Sequence, residues 1–134
     1  MITLITFLNR KREVEENSHL RIEIGPYRMF LNSRGRIPVI LQITHQEKDE
    51  VFDLVYMNLE ALKLSLRTRE VYVYRRSKKM VEKLTSQPGK GYFIDSIKIC
   101  KNGRSLLMTV RADQFSSENQ AFRDEIDWEK LASS

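Results

Sequence analysis

Ile37, Val39, Leu41 and Ile43 recur at every second position, an alternation that predicts a strand with these four side chains on one sheet face. The opposite face then carries Arg36, Ile40, Gln42 and Thr44. Upstream, Ile22, Ile24, Met29 and Phe30 are interleaved with Arg21, Glu23 and Arg28, which predicts extended chain. Ser33-Arg34-Gly35-Arg36 separates the two runs. Gly35 takes positive φ without steric cost, so a hairpin across 33–36 is expected. A polar loop, HQEKDE at 45–50, leads to the run EVFDLVY and then NLEALKLSL. Asn58 is placed to cap a helix there, with Leu59, Leu62 and Leu66 on one stripe able to close over the sheet.

Beyond Arg67 the pattern changes twice. Val71 and Val73 alternate with Tyr72, Tyr74 and Arg76, as in a strand, whereas Met80, Val81 and Leu84 have helical spacing with Lys78, Lys79 and Lys83 off the stripe. SQPGKG at 86–91 breaks the chain, because Pro88 and two glycines cannot continue a helix. A second strand-turn-strand unit follows, with Ile97 and Ile99 on one face, Lys98 on the other, an Asn102-Gly103 turn and the apolar run 105–110. The last stretch is acidic. It offers Ser116 or Ser117 as a cap and Phe122, Ile126 and Trp128 to a helical or mixed segment, with Trp128 packed down. Met1–Leu8 is expected as a strand and 9–19 as a solvated connection, with Arg10, Lys11 and Arg12 the first basic group. Together these elements predict one α+β domain over 1–134, a curved antiparallel sheet or sheets packed on one or two helices. Its halves would be 1–86 and 91–134. FLNSRGRIPVILQI and IKICKNGRSLLMTV share an order of parts, each with Gly-Arg at the turn, as two copies of one unit would.

The 134 residues can bury a sizeable core. Net charge is +5, with a pI near 9.4, which favours an anionic partner. Cys100 is the sole cysteine, which excludes an intrachain disulfide and a cysteine-built zinc site and fits a reducing intracellular compartment. No apolar run is long enough to span a membrane. His45 sits alone in a polar loop, and metal-type histidine spacing is absent, as are a P-loop, a dinucleotide glycine fingerprint and a serine elbow. No cofactor and no catalytic role are expected, and a hydrolase ranks last because the acids fall mostly in loops and the C-terminal segment.

The densest basic run, 67–83, coincides with the tyrosines. On a strand, Tyr72, Tyr74 and Arg76 share a face, with Arg69, Arg75, Lys78 and Lys79 nearby, so rings could stack on bases while cations hold phosphates. The leading reading is therefore binding of single-stranded DNA or RNA. The alternatives are tyrosines packed at a sheet rim beside a solubilising charge run, and a structural or adaptor protein for an acidic partner.

The order strand, Gly-Arg turn, strand, polar loop, strand and helix over 20–66, and more faintly over 91–131, resembles the repeat of the Whirly, Pur-type and transcriptional positive cofactor group. That resemblance implies a four-stranded antiparallel sheet backed by a helix, pairing of two such units and therefore a homo-oligomer if each chain supplies one. It also implies that the sheets bind single-stranded nucleic acid. The family's basic and aromatic sheet positions match Arg28, Phe30, Arg34 and Arg36 in the first unit and Lys98, Lys101 and Arg104 in the second. The 67–84 stretch and the acidic C-terminal segment have no counterpart in that pattern.

Overall fold

The computed structural model describes residues 20–87, 90–113, 115, 120–122 and 124–133. The readings made for Met1–Leu8, for 9–19 and for a cap at Ser116 or Ser117 lie outside them. The strands expected at 37–43 and 105–110 form β3 (Arg36–His45) and β10 (Leu106–Arg111), in an α+β fold. They lie side by side and parallel, with Val39 opposite Leu106, Leu41 opposite Met108 and Ile43 opposite Val110. All six side chains are buried. Burying side chains of this kind is worth about 1.5–3 kcal/mol each, which makes the pairing the centre of the core. β4 (Lys48–Asn58) and β9 (Phe93–Ile99) flank the pair antiparallel, giving the order β4-β3-β10-β9. The sheet is thus antiparallel at two junctions and parallel where strands from either side of the 86–91 break meet.

The turn at 33–36 forms, but not as a hairpin between the runs it separates. Asn32 holds it: its Oδ1 accepts from the Arg34 and Arg36 amides, and Gly35 sits at φ +77°. Strand β2 (Tyr27–Leu31) instead turns back on β1 (Leu20–Ile24) across Gly25-Pro26. Closing that two-residue loop costs less chain entropy than pairing 20–31 with 37–44. The β1–β2 hairpin tucks Ile22, Met29 and Leu31 into the core. Its Phe30 amide donates to the Gly103 carbonyl at 2.8 Å, tying it to the β9–β10 turn.

Helix α1 (Leu59–Thr68) starts where expected, with Asn58 Oδ1 accepting from the Ala61 amide at 2.9 Å. Its buried face is Ala61, Leu62 and Ser65, while Leu66 stays at the rim. Ser65 is a buried polar residue whose hydroxyl accepts from the Tyr72 amide and donates to the Tyr72 carbonyl. It fastens the helix to β5 (Tyr72–Arg75).

The helical spacing of Met80, Val81 and Leu84 does not produce a helix. β6 (Met80–Lys83) pairs with β5, Tyr74 opposite Val81, through a turn in which Lys79 has φ +52°. β5 offers an open edge one turn away, and that pairing overrides a short amphipathic signal. β7 (Thr85–Gln87) and β8 (Lys90–Gly91) pair within the stretch read as a break. Near the C-terminus, α2 (Trp128–Ala132) is capped by Asp127 but buries nothing. Trp128 is 70% exposed, against the expectation that it packs down. The acids around it oppose transfer of that segment into the core.

Two glycines separate conformation from space. Gly35 and Gly103 both have φ above +70°, but a methyl group at Gly35 meets nothing within 4 Å, whereas one at Gly103 would lie 2.5 Å from the Arg28 carbonyl oxygen. Gly35→Ala should cost about 1–2 kcal/mol, the price of the left-handed backbone alone. Gly103→Ala should cost about 2–4 kcal/mol, because β2 must move away from the turn. Equilibrium urea unfolding measures both, and equal losses would contradict the packing described.

Candidate functional site

The basic and aromatic residues converge where α1 turns the chain back and lays β5 beside β4. The β4 strand carries a bulge: Leu41 pairs with Asp53 and Gln42 with Val51, which leaves Phe52 as the extra residue. Leu54 and Tyr56, opposite Ile40 and Pro38, stay on the outer sheet face and are exposed. Between β4 and β5 runs a cavity of about 690 Å³, lined by Asn32, Arg34, Arg36, Asp53, Leu54, Val55, Tyr56, Val73, Tyr74, Arg75, Arg76 and Ser77. The Arg36 guanidinium lies 4.4 Å from the centre of the Tyr74 ring, a cation–π contact that fixes both.

Charge in the groove is unevenly balanced. Arg75 donates to Glu82 at 2.9 Å and Lys78 to the other oxygen of the same carboxylate at 3.0 Å. Those hydrogen bonds, Arg75 first, hold the Glu82 carboxyl below its ordinary range. Arg34, Arg36 and Arg76 form no ion pair with another described residue. Asp53 lies among them half-buried. Burial raises its carboxyl above the usual aspartate value, against the opposing effects of the Leu54 amide, 2.8 Å from Oδ1, and the Arg75 charge.

Of the residues singled out in the sequence, Arg34, Arg36, Tyr74, Arg75 and Arg76 meet in this groove. A second cluster forms at the β9–β10 turn, where the Arg104 guanidinium lies 6.0 Å from the Phe30 ring centre, with Arg28 and Lys101 exposed nearby in sequence. The 32–35 turn links the two clusters along the chain. Others are elsewhere. Tyr72 packs against the core, because its strand neighbours and Ser65 draw β5 in at that end. Arg69 is the left-handed C-cap of α1 and lines a separate cavity of about 420 Å³ with Asp95 and Ser96. Lys98 sits on the edge strand β9 opposite Leu107, and Lys79 points out from the β5–β6 turn.

Asn32, Asp53 and Tyr56 were missed. The signals available were an acid inside the apolar run EVFDLVY and a tyrosine two residues before the helix cap. What aims them at the arginines is the bulge and the placement of β5, neither of which is readable from spacing. Among the described residues no group of three or more histidine, cysteine or acidic side chains is disposed to hold a metal ion, and no helix is long and apolar enough to cross a membrane.

No family model matches the chain. Over 78 residues it is 39% identical to the histidine biosynthesis bifunctional protein HisIE of Pyrococcus furiosus. The match takes in 58% of this chain and 36% of that protein, so the chain spans about a third of the length of the relative it matches.

The buried carboxyl makes a pH-dependent prediction. A folded-state value above the ordinary one means that the unfolded chain ionises first as pH rises. Asp53 therefore costs nothing below both values, costs progressively more through the window between them, and keeps its full cost above. Asp53→Asn retains the acceptor for the Leu54 amide. It should raise the melting temperature by a few degrees at pH 7 and leave it unchanged near pH 3, as read by circular dichroism melts across pH.

Proposed function

We propose that this chain is a non-catalytic binder of single-stranded DNA or RNA, an intracellular homo-oligomer whose contact surface is the groove between β4 and β5. The observation that carries the reading is the Arg36–Tyr74 stack inside a cavity that also takes Arg34, Arg75 and Arg76. Phosphates meet the guanidiniums, whose planar forks suit them, and a base stacks on the exposed Tyr56 ring or on the outer face of Arg36. From the groove the strand follows the 32–35 turn toward Phe30 and Arg104. Arg69, Tyr72 and Lys98 lie off this track.

The partial likeness to HisIE favours a second reading, in which the cavity serves an enzyme. Its volume suits a small molecule, and a half-buried aspartate with a raised pKa beside arginines is a candidate proton-transfer group for an anionic substrate. In that reading Asp53→Asn abolishes turnover while leaving ligand-induced thermal stabilisation in place.

Fluorescence anisotropy with labelled single strands tests the first reading. Tyr56→Ala should weaken binding by about 1–3 kcal/mol with an unchanged salt slope. Arg75→Ala and Arg76→Ala should each lower the slope of log K against log salt by about 0.7. Arg69→Ala and Lys98→Ala should bind like the parent. A parent that binds no single strand at low salt, but is stabilised by small phosphate-bearing molecules, belongs to the second reading. One that binds neither is better described as an adaptor for an acidic protein.

A further inference from the structure

Two uncovered surfaces of this chain have complementary chemistry. In the C-terminal segment Phe122 is 57% exposed and Ile126 65%, beside the outward-facing Trp128. Asp124, Glu125, Asp127 and Glu129 lie among them, and none forms an ion pair with another described residue. Apolar side chains held in water beside carboxylates that form no ion pair among the described residues are the composition of a docking segment. The outer sheet face is the counterpart: Ile40, Leu54 and Tyr56 are exposed on it, and Arg36, Arg75 and Arg76 lie at its groove edge.

The segment is anchored next to that face but does not use it. The Ala121 amide donates to the Phe52 carbonyl at 2.7 Å, one residue before Asp53. Yet no described residue of 120–133 lines the groove of its own chain. We propose that residues 124–130 of one copy dock on the outer sheet face of a second copy, and reciprocally. Ile126 and Trp128 pack on Ile40, Leu54 and Tyr56, and the carboxylates meet Arg36, Arg75 and Arg76. Both surfaces belong to the same chain, so a twofold exchange uses each contact twice and closes at a dimer. The acids steer the approach and set the register, while the apolar side chains supply the affinity. Because the carboxylates occupy the same arginines that an anionic ligand would, the docked segment and such a ligand exclude one another. The association itself rests only on the two surfaces and needs no nucleic acid.

Trp128 is the sole tryptophan, so its emission reports the docking directly. Sedimentation velocity and tryptophan emission of the full chain are followed over concentration, without nucleic acid. The expected result is a dimer whose formation tracks a blue shift. Asp124→Lys with Glu125→Lys should weaken it by about tenfold or more, as should Arg75→Glu with Arg76→Glu, and combining the four should restore it. Trp128→Ala, at an exposed position that the fold does not need, should weaken dimerisation while leaving the melt at concentrations below dimer formation unchanged. A monomer at every concentration overturns the proposal. So does a dimer without an emission change or one indifferent to the reversals, or a blue-shifted monomer, which would place the segment on its own chain. Since no nucleic acid is present, these outcomes leave the binding reading of the groove to its own test.

Discussion

The parallel pairing of β3 with β10 is the constraint on which the rest depends. It joins strands 67 residues apart in the chain, as the Gln42 side chain donating to Thr109 at 2.9 Å illustrates on the outer face. Val39, Leu41 and Ile43 are flanked on one side by Leu106, Met108 and Val110, and on the other side Val55 and Met57 of β4 lie opposite Val39 and Ile37. A parallel neighbour requires a long crossover. Here the intervening chain contains β4, α1, the β5–β6 hairpin, β7, β8 and β9; β4 and β9 take the two opposite edges of the sheet, and β5 lies beyond β4, where the groove opens.

The groove is a consequence of that crossover. Asn58 ends β4 and starts α1, Ser65 clamps α1 to β5, and β5 is thereby laid beside β4 with Tyr74 under Arg36. Several guanidiniums held at one site repel one another, and the structure offsets this only in part. Glu82 answers Arg75 and Lys78, the Tyr74 ring answers Arg36, and Asp53 is too desolvated to ionise as readily as an exposed aspartate. The remaining positive potential is what the proposed anionic partner would meet.

A second tension lies in hydrophobic surface. The inner sheet face is buried along β3 and β10 and opens only at the β9 edge, at Ile97, while the outer face leaves Ile40, Val51, Leu54 and Tyr56 open, and the acidic C-terminal segment leaves Phe122, Ile126 and Trp128 open. Scattered exposed apolar residues are ordinary. Here they gather on one sheet face and on one short segment, next to charges of opposite sign, and the proposed self-association would account for both at once.

The period-two runs at 37–43 and 105–110, the Asn58 cap and the Asn102-Gly103 turn were legible in the sequence, because each is decided by local stereochemistry or by which face must leave water. The cluster of arginines with Tyr74 was legible as composition, since Arg75 and Arg76 adjoin it in the chain. Tertiary structure alone decided the remainder. Alternation assigns faces but not neighbours, so it could not choose the parallel β3–β10 pairing or turn β2 back on β1. The strand at Met80–Lys83 defeated its helical spacing because β5 offered hydrogen bonds that a short isolated helix does not outweigh. Asp53 and Tyr56 became groove residues only through the Phe52 bulge and the placement of β5. Tyr72 packs on the core and away from the groove because Ser65 fastens its backbone to α1. Trp128 stayed in water because the acids beside it oppose transfer of that segment out of water, which its place in the chain does not reveal.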